Sequence, residues 1–421
     1  MAAMCESVSG NRSGVTKIII RNATILDVEA GAFQDTCDLV IADGRIAEIG
    51  KVGASSGEAR QVDLRGRVLM PGLCDAHVHV IVPMNSFAQL TRWSPTYVAI
   101  RALPTLEGML MRGFTTVRDA GGADFGLARA VEEGLMPSPR LLYSGKALSQ
   151  SGGHGDMRGP GENAWDDHYY VPSLGRICNG VDAVRAAARD EIRRGAHQVK
   201  LMVGGGIASY TDPIHFLQFS KDEIRAAVEE AANAHTYVMA HAYTAACIRH
   251  AVECGVRSIE HGNFLDDETA LLMVERGAYL VPTLSAYTTM WDEGLEVGMP
   301  AELHAKIKPV LDAGSRQLEI AARHQVPIVY GTDLIGPLHR HQSLEFRIRR
   351  EVLPAAEVIR HATSNAAELF NMNDRIGHVR EGYVADLIAL DGNPLEDIEV
   401  LMKPSNLALI MKEGRIFREV V

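Results

Sequence analysis

Tyr237-Val238-Met239-Ala240-His241, then a helix-like stretch, then Ser258-Ile259-Glu260-His261 is the passage that decides how the middle of this chain is read. Each run is short and apolar, and each closes on a histidine. An apolar run, an amphipathic helix and a second apolar run make the texture of a parallel βαβ unit. The same alternation recurs on both sides. Thr115-Thr116-Val117-Arg118-Asp119, Gln198-Val199-Lys200-Leu201-Met202 and Pro327-Ile328-Val329-Tyr330-Gly331-Thr332-Asp333 each follow a helix-like segment. Roughly 300 residues, from about Pro71 to Phe370, carry the pattern, which fits an eight-stranded barrel better than a short open sheet. Pattern alone leaves a doubly wound sheet open.

Both ends of the chain differ from this middle. Lys17–Arg21, Asp38–Ile41 and Ile46–Ile49 are short, β-branched and bounded by Gly or Asp turns. Ala385–Leu390, Leu407–Met411 and Gly414–Phe417 repeat that texture, with Asp391-Gly392-Asn393-Pro394 as a turn. Two strand-rich ends around a different centre predict one discontinuous β domain. The expected division is residues 1–70 and 371–421 for the β domain and 71–370 for the α/β unit. Neither an internal repeat nor a low-complexity tract is evident. Ser149–Pro172, rich in Gly, Asp and His, is a candidate functional loop.

The 421 residues are 47% hydrophobic and 23% charged, enough for one large core and a smaller companion. A net charge of −11 offers no basic stripe for phosphates, so no nucleic-acid or anionic-membrane partner is expected. A small-molecule ligand and a homo-oligomeric assembly are expected instead. Met1–Gly14 lacks the charged-then-apolar pattern of a secretory signal, and no apolar run approaches the roughly 18 residues of a membrane span. A cytoplasmic location is expected. The six cysteines form no CxxC pair, which argues against a disulfide framework and a thiolate zinc site.

The chemistry gathers at Asp75-Ala76-His77-Val78-His79, directly after the apolar Val68-Leu69-Met70 and the turn Pro71-Gly72. Residues two apart on a strand share a face, so His77 and His79 present imidazoles side by side, a chelating geometry. HxH alone is weak, because short histidine pairs arise by chance. Its company strengthens it: Lys200, His241, His261 and Asp333 each close or nearly close a later apolar run. In a parallel barrel the strand C-termini face one mouth, so these groups would converge there. Singly, each has a blander reading, as a hydrogen-bonded core histidine or an aspartate cap.

HxH after the first strand, lysine on the fourth, histidine on the fifth and sixth and aspartate on the eighth resembles the ligand order of the amidohydrolase superfamily. The likeness extends along nearly the whole chain, through TTVRDAGG (115–122), SGGHGD (151–156), KLMVGGG (200–206), AHAY (240–243), IEHG (259–262) and GTDL (331–334). These contexts are similar to the branch containing prolidase-like Xaa-Pro dipeptidases, arginine/lysine carboxypeptidases and ochratoxin-hydrolysing amidohydrolases. The resemblance implies a (β/α)8 TIM-like barrel with a small β-sandwich built from both chain ends. It implies two divalent cations, zinc by the borderline character of imidazole and carboxylate donors. His77, His79 and Asp333 would hold one, His241 and His261 the other. An ammonium would repel two cations, and the family carboxylates the lysine, so Lys200 would bridge them as a carbamate.

Two cations so placed would supply nucleophile and electrophile near neutral pH. Asp333 would be general base and then acid. His154, in a Gly-flanked loop, and Tyr243, two residues after a ligand, are candidates to hydrogen-bond the oxyanion; either could instead be structural. Gly204-Gly205-Gly206 lacks the GK[ST] of a phosphate loop and reads as close backbone approach to substrate. Asp119 adjoins Arg118 and reads equally as half of a structural ion pair. Segments 81–85 and 165–170 are too mixed to name a substrate.

The expected reaction is hydrolysis of an amide, releasing a C-terminal amino acid from a dipeptide or N-acyl amino acid. The alternative is a xenobiotic or mycotoxin amide such as ochratoxin, or a urea or carbamate. A silent scaffold would have lost a ligand, and none is missing. A mononuclear deaminase of the superfamily usually lacks the strand-four lysine and carries a glutamate after strand five; here Ala242-Tyr243 follows His241.

Overall fold

The structure, a computed structural model, describes residues 17–51, 53, 59–83, 87–158, 171–209 and 211–420. Segment 165–170 and much of the Ser149–Pro172 loop lie outside the described residues, as do 84 and 85.

Alternating apolar positions at both ends make one nine-stranded sheet. Its main path runs Arg415–Glu419, Leu407–Lys412, Leu387–Leu390, Val68–Pro71, Ile18–Asp27, Cys37–Ala42, Arg45–Gly50. The two chain ends meet where Met70 pairs antiparallel with Ile388, and Leu69 pairs with Ile25 on the other side. Ile18–Asp27 changes partners at an irregularity between Ile20 and Ala23, so one strand serves two stretches of sheet. Ile20, Leu39, Val62, Leu69, Leu387 and Leu409 pack into a separate core beneath it.

The middle of the chain forms parallel strands with helices between them. Leu73–Val78, Phe114–Asp119 and Arg140–Tyr143 make a three-stranded sheet. Gly175–Ile177, Ala147–Ser149, Val199–Met202, Val238–Thr244, Ser258–Phe264 and Tyr279–Val281 make a six-stranded one. Their buried residues, among them Leu201, Ala240, Ile259 and Leu280, belong to the largest core, with Ile224 and Ile248 of the covering helices. Helix Lys221–Asn233 starts on a capping box in which Ser220 and Glu223 satisfy each other's backbone N–H groups. Residues described here include no helix long and apolar enough to cross a membrane.

The two parallel sheets are not joined by a continuous ladder. Single backbone bonds link their edges: Ala76 N–H to Tyr330 C=O and Asp333 N–H to His77 C=O, both 2.8 Å, and His197 N–H to Tyr143 C=O, 2.8 Å. The strand expected over Pro327–Asp333 is reduced to one bridge, Ile328 to Leu280. Asp333 has φ +53°, which ends extended backbone at the residue whose side chain the site uses.

Candidate metal centre and active site

His77 lies on Leu73–Val78 and His79 just past its end, with ring centroids 5.3 Å apart. His241 sits mid-strand in Val238–Thr244 and His261 in Ser258–Phe264; their rings are 4.6 Å apart, and His261 is 5.0 Å from His77. Asp333 Oδ1 lies 3.2 Å from His79 Nε2 and 3.4 Å from His77 Nε2. His261 and Asp333 both take left-handed backbone, φ +73° and +53°. This is uncommon for residues with a Cβ and turns each side chain off the strand's alternation.

Hydrogen bonds at the far ring nitrogens choose which nitrogen faces inward. His77 Nδ1 donates to Glu260 Oε2 at 2.7 Å and His79 Nδ1 to the Gly121 carbonyl at 3.1 Å, leaving Nε2 of each. His241 Nε2 donates to the Gly205 carbonyl at 3.2 Å, leaving Nδ1. His261 Nδ1 meets Thr283 Oγ1 at 2.9 Å. Burial drives His77, His241 and His261 well below the ordinary imidazole range, with nearby Lys200 adding to it, so they are neutral donors. Burial would raise Asp333, but His77 and His79 outweigh it and hold the carboxyl below its usual range. Burial pulls the Lys200 amine down to about 8 against the opposing pull of Glu260 and Asp333.

Donor atoms of His77, His261 and Asp333 all fall within 4.8 Å of one another, close enough to share one cation, a grouping that cuts across the expected division of His77, His79 and Asp333 from His241 and His261. Imidazole with carboxylate suits a borderline divalent ion. His77, His79, Lys200, His241, His261 and Asp333 all line one cavity of about 1180 Å³, its open mouth included, and so do His154 and Tyr243.

His154 stacks on His241, centroids 4.2 Å apart and planes 15° apart. Its Nδ1 lies 2.8 Å from Ser209 Oγ and 3.0 Å from Asp212 Oδ2, so Nε2 is the nitrogen left for a ligand. Tyr243 stacks on His261 at 5.1 Å, and its phenol is hydrogen-bonded to Tyr287, whose hydroxyl also meets Thr283.

Two expectations change here. Arg118 pairs with Glu260 at 2.9 Å, not with Asp119. Neighbours on a strand point to opposite faces, and the Asp119 carboxylate instead accepts the backbone N–H groups of Val80, Gly121 and Ala123. Protein atoms, rather than open space, face the three glycines. A Cβ on Gly206 would lie 2.0 Å from the His154 ring, one on Gly205 2.0 Å from the Pro213 carbonyl oxygen, and one on Gly204 2.8 Å from Cys247 Sγ.

Glu260, Asp212 and Thr283 were not singled out in the sequence. Glu260 had a signal: an acid inside an apolar run is buried on folding and needs partners. It finds them in His77, Arg118 and Ser258. Asp212 and Thr283 meet their histidines across 58 and 22 residues of chain, in segments without periodicity.

Known proteins resemble this chain along nearly its whole length. An ochratoxinase of Aspergillus niger is 34% identical over 96% of this chain and 87% of its own. A solved prolidase complexed with N-methylphosphonate-L-proline is 45% identical, with TM-score 0.94 over 96% of this chain and 100% of that one. A Xaa-Pro dipeptidase solved with methionine in its active site is 32% identical, with TM-score 0.85 over 96% and 100%. Residues 68–417 match the Amidohydrolase family, and with these relatives along nearly its whole length the chain belongs to that family.

Proposed function

We propose that the protein hydrolyses an amide bond and releases a C-terminal amino acid from a dipeptide or an N-acyl amino acid. The observation that carries this reading is the convergence of four histidines, Asp333 and Lys200 on one cavity, in a chain similar to a prolidase and a Xaa-Pro dipeptidase. In this reading the chain forms a (β/α)8 barrel over 71–370 and a β-sandwich from 1–70 and 371–421, acting in the cytoplasm as a homo-oligomer.

His77, His79 and Asp333 would hold one divalent cation and His241 and His261 a second, with Lys200 carboxylated between them. When bound, two such ions, zinc by their donors, supply a polarised carbonyl and an acidified water. Lys200 joins through a carbamate: its neutral amine forms an N–C bond to carbon dioxide and gives up a proton. Asp333 accepts the proton of the attacking water and passes it to the departing amine. In its imidazolium form, with the Nδ1–H on Asp212, His154 would donate from Nε2 to the carbonyl oxygen as charge builds there. Tyr243 can do the same when its phenol turns from Tyr287.

A second reading, a mycotoxin amide such as ochratoxin, is supported by 34% identity to the Aspergillus niger ochratoxinase. Both readings are tested together. Xaa-Pro dipeptides, N-acyl-phenylalanine and ochratoxin are offered to protein stripped by a chelator and then reloaded with zinc. Turnover should vanish on stripping and return with zinc, with a free amino acid among the products. Lys200→Ala should lose metal and activity, and small carboxylic acids should restore part of both, whereas Lys200→Arg should not be rescued. Full turnover in metal-free protein would overturn the proposal.

A further inference from the structure

The candidate metal-holding residues come from two sheets whose edges meet through single backbone bonds. His77 lies on the three-stranded sheet; Lys200, His241 and His261 lie on the six-stranded one. Behind His77, one path of side chains crosses between those sheets twice. Arg118, on Phe114–Asp119, donates from Nη2 to Glu260 Oε1 at 2.9 Å, and Glu260, on Ser258–Phe264, accepts His77 Nδ1–H on Oε2 at 2.7 Å. Ser258 adds a bond to Glu260 Oε1 at 2.6 Å. The Ala76 carbonyl at 2.7 Å, Ser258 at 3.2 Å and the Tyr237 hydroxyl at 3.3 Å fix the rest of the Arg118 fork. All of these side chains are buried.

Strand geometry puts Glu260 there. Ser258 and Glu260 share one face of their strand, and the left-handed backbone of His261, φ +73°, brings the next side chain to the same place, its ring 5.0 Å from His77. Burying a carboxylate with a guanidinium can cost more in lost hydration than their attraction returns, and apolar residues of similar volume often hold a fold equally well. What the ionic pair adds is control of His77. A carboxylate only accepts, so the imidazole touching it carries its proton on Nδ1 and turns the Nε2 lone pair toward the cavity. An amide in the same place would leave that choice open. Arg118 supplies the opposite charge that lets a carboxylate stay there, and it does so from the same sheet as His77.

We propose that Glu260 and Arg118 are positioning residues of the metal centre: together they fix His77 as its Nδ1–H tautomer and hold it across the junction of the two sheets, with Nε2 ready for a cation. This rests on the metal-centre reading above and deepens it. Neither residue faces the substrate; both act through His77.

The experiment uses full-length protein and two readouts that need no turnover. Zinc affinity is measured by competition with a chromophoric chelator. The His77 tautomer is read by NMR of metal-free protein carrying isotopically labelled histidine, with its signal assigned by loss in His77→Asn. Glu260→Gln has a single oxygen to offer, either to His77 or to Arg118 and Ser258, so zinc should bind about 10- to 100-fold more weakly and the Nδ1–H signal should be lost. Arg118→Met combined with Glu260→Met removes both charges at similar volume. Metal-free, it should keep at least the wild-type urea midpoint, yet bind zinc about 10- to 100-fold more weakly. A pair that only supports the fold would show the reverse, a lower midpoint with zinc affinity kept, and would overturn the inference. So would a His77 Nδ1–H signal unchanged in Glu260→Gln, which decides alone if the double variant does not fold. Wild-type protein that binds no zinc would reject the metal-centre reading. The tautomer then decides separately: an Nδ1–H signal that depends on Glu260 keeps the positioning role, and one that does not overturns it.

Discussion

Asp333 shows how much one residue can be asked to do. Its carboxylate lies against His77 and His79, its N–H donates to the His77 carbonyl, and its left-handed backbone ends the last strand-like segment. Asp333→Asn keeps that size and backbone while removing the group that accepts a proton. Its kcat should fall about 100- to 10,000-fold, with zinc content measured by atomic emission largely kept. Near-native turnover would remove Asp333 from proton transfer. That the four histidines, Lys200 and Asp333 share one cavity could be read from sequence because each stands at or near the end of an apolar run, and strand ends converge in a parallel fold. Their supports could not. Glu260 is visible in sequence only as an acid in the wrong surroundings, and Arg118 stands beside Asp119 in sequence but faces away from it across the strand, toward Glu260.

Elements carry the next level of control. The loop Gly204–Gly206 packs under His154, and Lys306 ties it down by donating to the Gly206 and Ser209 carbonyls at 3.2 and 2.7 Å. Gly206→Ala would drive a methyl into the His154 ring. Turnover should drop about 10- to 100-fold, the scale of a misplaced oxyanion donor, while zinc binding is retained. Loss of zinc together with activity would instead put the glycine beneath His241.

Helix Val181–Arg193 carries a different signal. Burial pushes the Glu191 carboxyl up to about 7, against the Lys146 N–H and Arg176, 3.7 Å away. Unfolded, it ionises near 4.5, so between about 4.5 and 7 the folded protein binds more protons. Stability attributable to this group is therefore full below that window and lost as pH rises through it. The loss is on the order of 3 kcal/mol. Glu191→Gln should flatten that part of the stability–pH curve in urea titrations; an unchanged slope would assign it elsewhere. Helices of this kind follow from periodicity, but a buried acid on their inner face is legible only once the helix has been packed.

At the scale of the molecule, the chain ends had announced their kinship by shared strand texture, and they do meet in one sheet. What locks that sheet to the parallel strands was hidden, because the partners are far apart in sequence. Arg140, at the start of Arg140–Tyr143, donates to Asp386 at 2.7 Å, to Glu413 at 2.8 Å and to Thr116 at 2.9 Å. Asp386 is almost wholly buried, and its other oxygen accepts the Glu413 N–H at 2.7 Å. Removing the arginine would leave that carboxylate desolvated and unpaired between the two parts of the fold. Arg140→Met should therefore destabilise the protein by about 3–5 kcal/mol, read as a lower urea midpoint. Adding Asp386→Asn to Arg140→Met should recover part of the loss by discharging the orphaned acid, since the cost lies in the uncompensated charge more than in the missing bond. If the single variant unfolds at the wild-type midpoint, or the second change only adds to the damage, the bridge is not what holds the two parts together. The apolar contacts between the sheets would then have to carry that joint alone.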